Sequence, residues 1–142
     1  MKKYIIILII IFLALGFFVF SNKSQKEGTI YNNASANDIV VELPYPDAVT
    51  GKEFSVIGRA RGFWFFEGSF PLEVLDENGK SIAVGYAQAE GEWMTTEFVP
   101  FKGEIKVPES YIGKAVLVLK KDNPSGIPEK DASISFKFNI EY

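Results

Sequence analysis

Three glutamates close to aromatic residues are the side chains in this chain whose type and placement could support catalysis. Glu67 is the only charged residue in a run of aromatic residues, and Glu92 and Glu97 lie at a second such run. Glu67 paired with either of the others would supply the two carboxylates that most glycosidases use. The alternative is structural, because a carboxylate in a turn at 67–69 would accept hydrogen bonds from backbone amides. We expect the structural role and no catalytic residue.

The chain has no cysteine and no histidine. This composition removes thiol nucleophiles, disulfides, thiolate metal sites and the usual general base near neutral pH. The oxygen-rich segment 76–79 (DENG) lacks the twelve-residue spacing of a calcium loop and is typical of a hairpin turn. The sequence therefore predicts a protein that is not an enzyme and holds neither a metal nor another cofactor.

Two aromatic clusters, FWFFEGSFP at 63–71 and WMTTEFVPF at 93–101, are the most distinctive segments. Clustered Trp and Phe side chains fill a core, pack against a membrane or linker, or form a surface that contacts a glycan or protein. Four consecutive aromatic residues occupy 63–66, so an extended backbone there would leave one pair partly exposed or covered by a neighbouring loop. The predicted binding residues lie within these two clusters. They are Trp64, Phe65, Phe66, Glu67 and Trp93.

Apolar and polar side chains alternate in the last eleven residues without interruption, which indicates a strand with one buried face. Similar stretches, separated by Pro, Gly, Asn and Asp, bring the number of predicted strands to about seven. The predicted strands are 39–43, 54–60, 70–75, 82–89, 96–101, 115–120 and 132–142. After residue 20 no segment sustains a helical apolar period, so the prediction is all-β.

A two-sheet antiparallel β-sandwich fits these strands best. Trp64 is the candidate for the central packing position. Arg59 and Arg61 share the face of their strand that lies opposite Val56 and Ala60, which predicts solvated arginines.

An unbroken apolar run at 4–20 follows Lys2 and Lys3. As a helix these roughly 17 residues would span about 26 Å, near the lower limit for crossing a bilayer. The run is long for a signal peptide and lacks a clear cleavage site after it. We therefore predict a membrane anchor at 1–20, with a cleaved signal peptide as the alternative, and place the rest of the chain outside the cytoplasm.

The segment 21–38 is rich in Asn, Ser, Ala, Lys and Gly, which predicts a flexible linker. The remaining 39–142 is the usual size of one domain. Without Lys2 and Lys3 the formal charge falls from −3 to −5, which opposes binding to phosphate. No nucleic-acid partner is expected.

Four blocks in order carry a resemblance: VIGRARG at 56–62, the two aromatic clusters, and DNPSGIPE at 122–129. Together they resemble the immunoglobulin-like domain of bacterial spore germination proteins over nearly all of 39–142. The resemblance implies an immunoglobulin-like sandwich in secreted or membrane-attached proteins, with interactions in the envelope during germination or sporulation. It implies no catalytic residue.

The sequence thus predicts a membrane-tethered binding module that faces outside the cytoplasm, with a cell-wall glycan or envelope protein as partner. The alternative is a structural envelope component that assembles with itself, through the last strand, 134–142, if that strand is an exposed edge. A carboxylate-based hydrolase is the least expected function.

Overall fold

The computed structural model of the protein describes residues 28–142. The predicted anchor at 1–20 and the first part of the predicted linker, 21–27, lie outside the described residues. Within 28–142 there is no helix long and apolar enough to cross a membrane. The described chain consists of strands and two short 3₁₀ helices, and it contains no α-helix. The all-β prediction is confirmed.

Nine strands form the fold. They are β1 (Ile30–Asn32), β2 (Ile39–Leu43), β3 (Val49–Thr50), β4 (Glu53–Arg61), β5 (Ser69–Leu75), β6 (Ser81–Ala89), β7 (Phe98–Lys106), β8 (Gly113–Lys120) and β9 (Ser133–Ile140). The 3₁₀ helices are Gly62–Trp64 and Pro128–Lys130. All seven predicted strands are present, although β7 begins at Phe98 and runs on to Lys106.

The strands lie in the order β1-β9-β8-β5-β6-β7-β4-β2, and β3 pairs with β9. Every pairing between these strands is antiparallel except the short one of β3 with β9. The alternation in β9 buries Ile134, Phe136 and Phe138, as the period of two predicted.

The sheet curves back over its own core. Phe54 of β4 and Phe138 of β9 belong to strands far apart in the sheet order, yet their ring centroids lie 5.3 Å apart. Phe70 of β5 and Phe101 of β7 meet edge to face at 4.9 Å. Both halves of the sheet therefore contribute to one hydrophobic core.

One half of the sheet contains β1, β9, β8, β5 and β6, and the other contains β7, β4 and β2. The two halves join through only three residue pairs between β6 and β7. A Cβ atom on Gly103 would lie 2.8 Å from the carbonyl oxygen of Tyr86, so a side chain there would prevent the close approach of the backbones. All strands are nevertheless connected in one hydrogen-bonded order. The predicted division into two separate sheets stays a prediction.

The structure corrects the linker boundary and removes the condition for pairing through the last strand. The linker does not extend to residue 38, because Ile30–Asn32 pairs with β9 and Tyr31 and Ala34 pack against the core. This strand is short and half exposed, so it lacks the apolar pattern by which strands are recognised. Strand β9 is not an edge either, since β8 lies on one side and β1 and β3 on the other.

Four loops meet at one end of the sheet, because neighbouring strands run antiparallel and their ends alternate. These loops are 33–38, 62–68, 90–97 and 121–132. We call this region the loop end. It brings the two aromatic clusters of the sequence together.

Candidate functional site

The 62–68 loop begins with a close approach between backbones. A Cβ atom on Gly62 would lie 1.9 Å from the carbonyl oxygen of Thr95 and 2.3 Å from that of Trp93, so only glycine fits. The Gly62–Trp64 helix follows, with the amide of Phe65 donating to the carbonyl of Gly62 at 3.2 Å. The 62–68 and 90–97 loops are thereby packed against each other.

A short helical turn followed by extended backbone decides which of the four aromatic side chains face solvent. Phe63 is 52% exposed and Phe66 42%, whereas Trp64 and Phe65 are buried. The 3₁₀ helix ends at Trp64 and Phe65 is already extended, with φ −88° and ψ 148°, so Phe65 and Phe66 point to opposite sides. The extended backbone considered from the sequence therefore applies only to the part of the segment after Trp64.

Trp64 and Phe65 belong to the core. Trp64 meets the ring of Phe70 edge to face at 6.4 Å, and Phe65 lies 5.3 Å from the same ring. Their burial contradicts their prediction as binding residues, because neither ring can reach a partner in this conformation. The Trp64 indole N–H has no hydrogen-bond acceptor among the described residues. Trp64 is buried in the core, as proposed for the packing position.

A tight turn presents Glu67. Phe66 and Ser69 exchange two backbone hydrogen bonds of 3.0 and 3.1 Å across it. Glu67 and Gly68 have φ angles of 50° and 78°, and positive values at both central positions define a type I′ turn. The Glu67 carboxylate is exposed and accepts no hydrogen bond within residues 28–142. Backbone atoms close the turn, so the predicted structural role of the carboxylate is wrong.

Trp93 covers this turn. A Cβ atom built on Gly68 would lie 3.4 Å from both Cδ1 and Nε1 of the Trp93 indole, which is half-buried and packs against the core. Met94 beside it is 78% exposed. The structure thus brings together the predicted residues Phe66, Glu67 and Trp93.

Arg61 fixes the 90–97 loop. Its Nε donates to the carbonyl of Asn37 at 2.9 Å, and its Nη1 donates to that of Thr96 at 3.3 Å. The same Nη1 lies 3.6 Å from Oε2 of Glu97, and the guanidinium carbon stands 4.0 Å from the centre of the Phe98 ring. Arg61 was predicted as a solvated residue only. The sequence signal for this role is an arginine at the end of a predicted strand in a chain that also contains a separate aromatic cluster.

On its other side, the 62–68 loop meets the 121–132 loop. The amide of Asp122 donates to the carbonyl of Trp64 at 3.1 Å, and the Lys121 ammonium stands 5.7 Å from the centre of the Phe63 ring. Asn123 braces the 121–132 loop by donating to Oδ1 of Asp131 at 2.7 Å. Both flanks of the exposed aromatic residues are therefore held in place.

Local geometry also shows what the other acidic residues singled out in the sequence do. Glu97 is engaged by Arg61, which leaves its carboxylate paired with a cation. In residues 28–142 no group of three or more acidic side chains is arranged to hold a metal ion. At 76–79 Oδ1 of Asp76 accepts from the amides of Asn78 and Lys80 at 2.8 and 2.9 Å. That segment forms the predicted hairpin turn.

A comparison with protein families identifies one match. The family is described as the immunoglobulin-like domain of bacterial spore germination, and its model matches residues 38–127. The match covers more than half of the chain and spans β2 to β8 with the two aromatic loops. The chain therefore belongs to this family, as the resemblance of its four sequence blocks predicted. No curated protein and no solved structure matches it.

Proposed function

We propose that this member of the spore-germination immunoglobulin-like family is a non-catalytic binding module whose loop end contacts the partner. The contact surface consists of Phe63, Phe66, Glu67, Trp93 and Met94, which we call the aromatic surface. The observation that carries the proposal is the exposure of Phe63, Phe66 and Met94 on two loops that are packed together.

The fold does not need these side chains outside. Trp64 and Phe65 already fill the adjacent core, and the exposed part of an aromatic ring gains nothing from the hydrophobic effect until a partner covers it. The loops are also held by Arg61 and by backbone hydrogen bonds. A surface ordered before binding loses less conformational entropy in the complex, which favours a recognition role.

The partner that we propose is a glycan strand or protein of the bacterial envelope. Aromatic faces stack on sugar rings and also serve as anchors in protein interfaces, so both classes suit the aromatic surface. The apolar run at 4–20 supports a membrane anchor that places the domain outside the cytoplasm. The curved sheet with its three-pair junction supports a two-sheet immunoglobulin-like sandwich divided between β6 and β7.

A pull-down tests the proposal. The bait is the full chain in mild detergent, alongside the segment 28–142, and the prey is purified cell-wall glycan or solubilised envelope protein. We expect Phe66→Ala and Trp93→Ala to reduce retention of a partner. Tyr45→Ala is the matched control, because this tyrosine is 54% exposed and lies beyond β2 at the opposite end of the sheet.

Each variant is first shown to unfold with the same cooperativity as the parent chain. Loss of binding in the loop-end variants with retention in Tyr45→Ala supports the aromatic surface. Equal retention in all variants, or no partner from either source, contradicts the proposal. Turnover of cell-wall glycan that disappears in Glu67→Gln would replace the binding module by a hydrolase.

A further inference from the structure

A polar cleft lies next to the aromatic surface, on the side of Phe63. Its volume is about 400 Å³, and Lys121 and Asp122 at the start of the 121–132 loop line it. The Lys121 ammonium stands 5.7 Å from the centre of the Phe63 ring. The cleft and the exposed Phe63 ring are therefore neighbours at the loop end. We call this feature the polar cleft.

Outward side chains at the ends of three strands form the floor of the polar cleft. Asn32 of β1 pairs with Ser133 of β9, and Ser133 pairs with Lys120 of β8. Paired residues point to the same face of a sheet, so these three side chains lie side by side along the cleft. Because all three stand on strands, the sheet fixes their positions.

One wall of the polar cleft comes from the DNPSGIPE block at 122–129, one of the four blocks that carry the family resemblance. Asn123 donates to the carbonyl of Ile127 at 2.8 Å and to Oδ1 of Asp131 at 2.7 Å. The Ser125 hydroxyl donates to Oδ1 of Asn123 at 2.5 Å. These bonds order the wall before a ligand arrives, which lowers the entropic cost of binding.

Several side chains of the polar cleft have hydrogen-bonding capacity that the rest of the described chain leaves unused. Within residues 28–142, the Asp122 carboxylate and the Ser133 hydroxyl have no hydrogen-bond or ionic partner, although both residues are half-buried. Lys121 is also half-buried, and its ammonium makes no hydrogen bond or ion pair with these residues; nor does the exposed Asn32 amide. A half-buried polar group gains free energy when a ligand completes its hydrogen bonds.

The charges of the polar cleft disfavour an anionic ligand. Lys120 is neutralised by its ion pair with Glu73. One further positive charge, on Lys121, then faces two negative charges, on Asp122 and Asp131, so the local balance is negative. The chain as a whole is also net negative. Phosphate groups and phosphate-containing polymers are therefore poor ligands for this cleft.

The lining of the polar cleft also disfavours an apolar anchor from a protein partner. Its side chains mix donors and acceptors: Lys121 donates, Asp122 accepts, and Ser133 does both. An apolar side chain would remove water from these groups without replacing their hydrogen bonds, which costs free energy. A sugar carries donor and acceptor oxygens on neighbouring carbons, and its C–H face packs on an aromatic ring such as that of Phe63.

We propose that the polar cleft is a subsite for an uncharged, hydroxyl-rich glycan, whose chain continues from the cleft across Phe63 onto the aromatic surface. Asp122 accepts hydrogen bonds from sugar hydroxyls, and Asn32 and Lys121 donate to sugar oxygens. The cleft volume falls within the roughly 300–1,000 Å³ that is typical of small-ligand sites, which leaves room for a short stretch of sugar units. The inference rests on the proposed binding function and assigns the glycan, in place of a protein, as its partner.

Isothermal titration calorimetry of the full chain tests the subsite. The probes are two uncharged tetrasaccharides, one of β-1,4-linked N-acetylglucosamine and one of glucose, in a detergent without a sugar headgroup. We expect at least one of them to bind, and Asp122→Ala to weaken its affinity about tenfold or more and Asn32→Ala about threefold or more. Glu141→Ala, which removes an exposed carboxylate at the opposite end of β9, is the matched control and should leave the affinity unchanged.

The outcomes distinguish this inference from the proposed function, once each variant is shown to unfold as cooperatively as the parent chain. A tetrasaccharide that binds Asp122→Ala and Asn32→Ala as tightly as the parent, yet is lost in Phe66→Ala, overturns the subsite and leaves the aromatic surface standing. If neither tetrasaccharide binds into the millimolar range while the pull-down retains an envelope protein, the partner is a protein and the subsite is overturned. No partner in either experiment overturns both proposals. Affinity that falls steeply with salt contradicts an uncharged ligand.

Discussion

Variants of Glu67 can separate the conformational requirement of its turn from a role of its carboxylate in binding. A non-glycine residue with positive φ is strained, and Asn-Gly is the preferred sequence for a type I′ turn. We expect Glu67→Asn to raise the free energy of unfolding by about 0.5 kcal/mol. Glu67→Val should lower it by 1 kcal/mol or more, on the order expected for a β-branched residue forced to positive φ. Urea unfolding of the three proteins measures both differences.

Glu67→Asn then becomes an informative variant for binding. It removes the carboxylate while the turn stays at least as stable, so reduced retention of a partner cannot be attributed to unfolding. If Glu67→Asn is destabilising, the turn does not impose the positive φ angle described here.

Glu73 gives the fold a defined response to acid. A hydrogen bond from Lys120, and then one from Ser81, lowers the pKa of the Glu73 carboxyl below its usual range. Because the pKa is lower in the folded chain, this pair stabilises the fold above the ordinary glutamate pKa of about 4.3. The contribution is lost as the pH falls through the lower, folded-state pKa.

We therefore expect Glu73→Gln to cost about 0.5 kcal/mol at pH 7 and almost nothing once the pH is well below 4. Chemical unfolding at several pH values provides the comparison. Glu141→Gln, which removes the same charge from an exposed residue after β9, is the control. A difference for Glu73→Gln that is constant with pH would contradict the assigned ion pair.

At the scale of elements, Arg61 determines the position of the 90–97 loop. Its side chain reaches the carbonyls of Asn37 and Thr96 while stacked on Phe98. Lysine keeps the charge but has neither the planar guanidinium nor its several donors. We expect Arg61→Lys to increase amide hydrogen exchange in 90–97 about tenfold or more, with global stability reduced by less than about 1 kcal/mol.

Arg59→Lys is the matched control, since Arg59 pairs with Glu42 and its guanidinium lies farther from Phe98, at 5.4 Å. If both variants change exchange in the loop equally, Arg61 does not position it. If only Arg61→Lys increases exchange in the loop, the effect of this variant on partner binding measures how much the ordered loop contributes to affinity.

The strands differ in how well a single sequence predicts them. Strand β9 is recognisable because six alternating apolar residues follow one another, and β2 is recovered with its bounds. Strand β1 is held mainly by backbone pairing with β9 and by one half-buried tyrosine, and neither leaves a periodic trace. The order in which the strands pair also depends on distant contacts that no local pattern contains.

The candidate site, too, could be predicted only in part from the sequence. The aromatic clusters were recognised from composition, but composition does not state which ring is buried. The local backbone makes that decision, because the Gly62–Trp64 turn and the extended residues after it leave Phe63 and Phe66 outside and Trp64 and Phe65 inside. Contact between Trp93 and Gly68 joins segments that are 25 positions apart in the chain, and spacing alone could not predict it.

For the whole molecule, membership of the family establishes the kind of domain and not the ligand, because one fold serves many functions. The aromatic surface lies on the loops, whereas the strands form the core that holds those loops in place. Variants of the exposed loop side chains can therefore test the ligand while the fold stays intact.

The start of the domain is the last property that can be tested at this scale. The matched region begins at residue 38, but the sheet includes Ile30–Asn32, and the Asn33 side chain donates to the carbonyl of Asp131 at 2.9 Å. We expect the segment 39–142 to be less stable than 28–142 by roughly 2 kcal/mol, because it loses the packing of Tyr31 and the β1 pairing. Urea unfolding of the two segments measures the difference.

The shorter segment should also aggregate more readily. Removing β1 leaves the backbone groups of Ser133 to Ser135 without the partner strand that covers them, and a free edge pairs readily with another chain. The longer segment with Tyr31→Ser is the control, since it loses the aromatic packing but keeps the strand. If that variant aggregates as much as 39–142, lost stability is the cause; if it stays soluble, β1 protects the edge of β9.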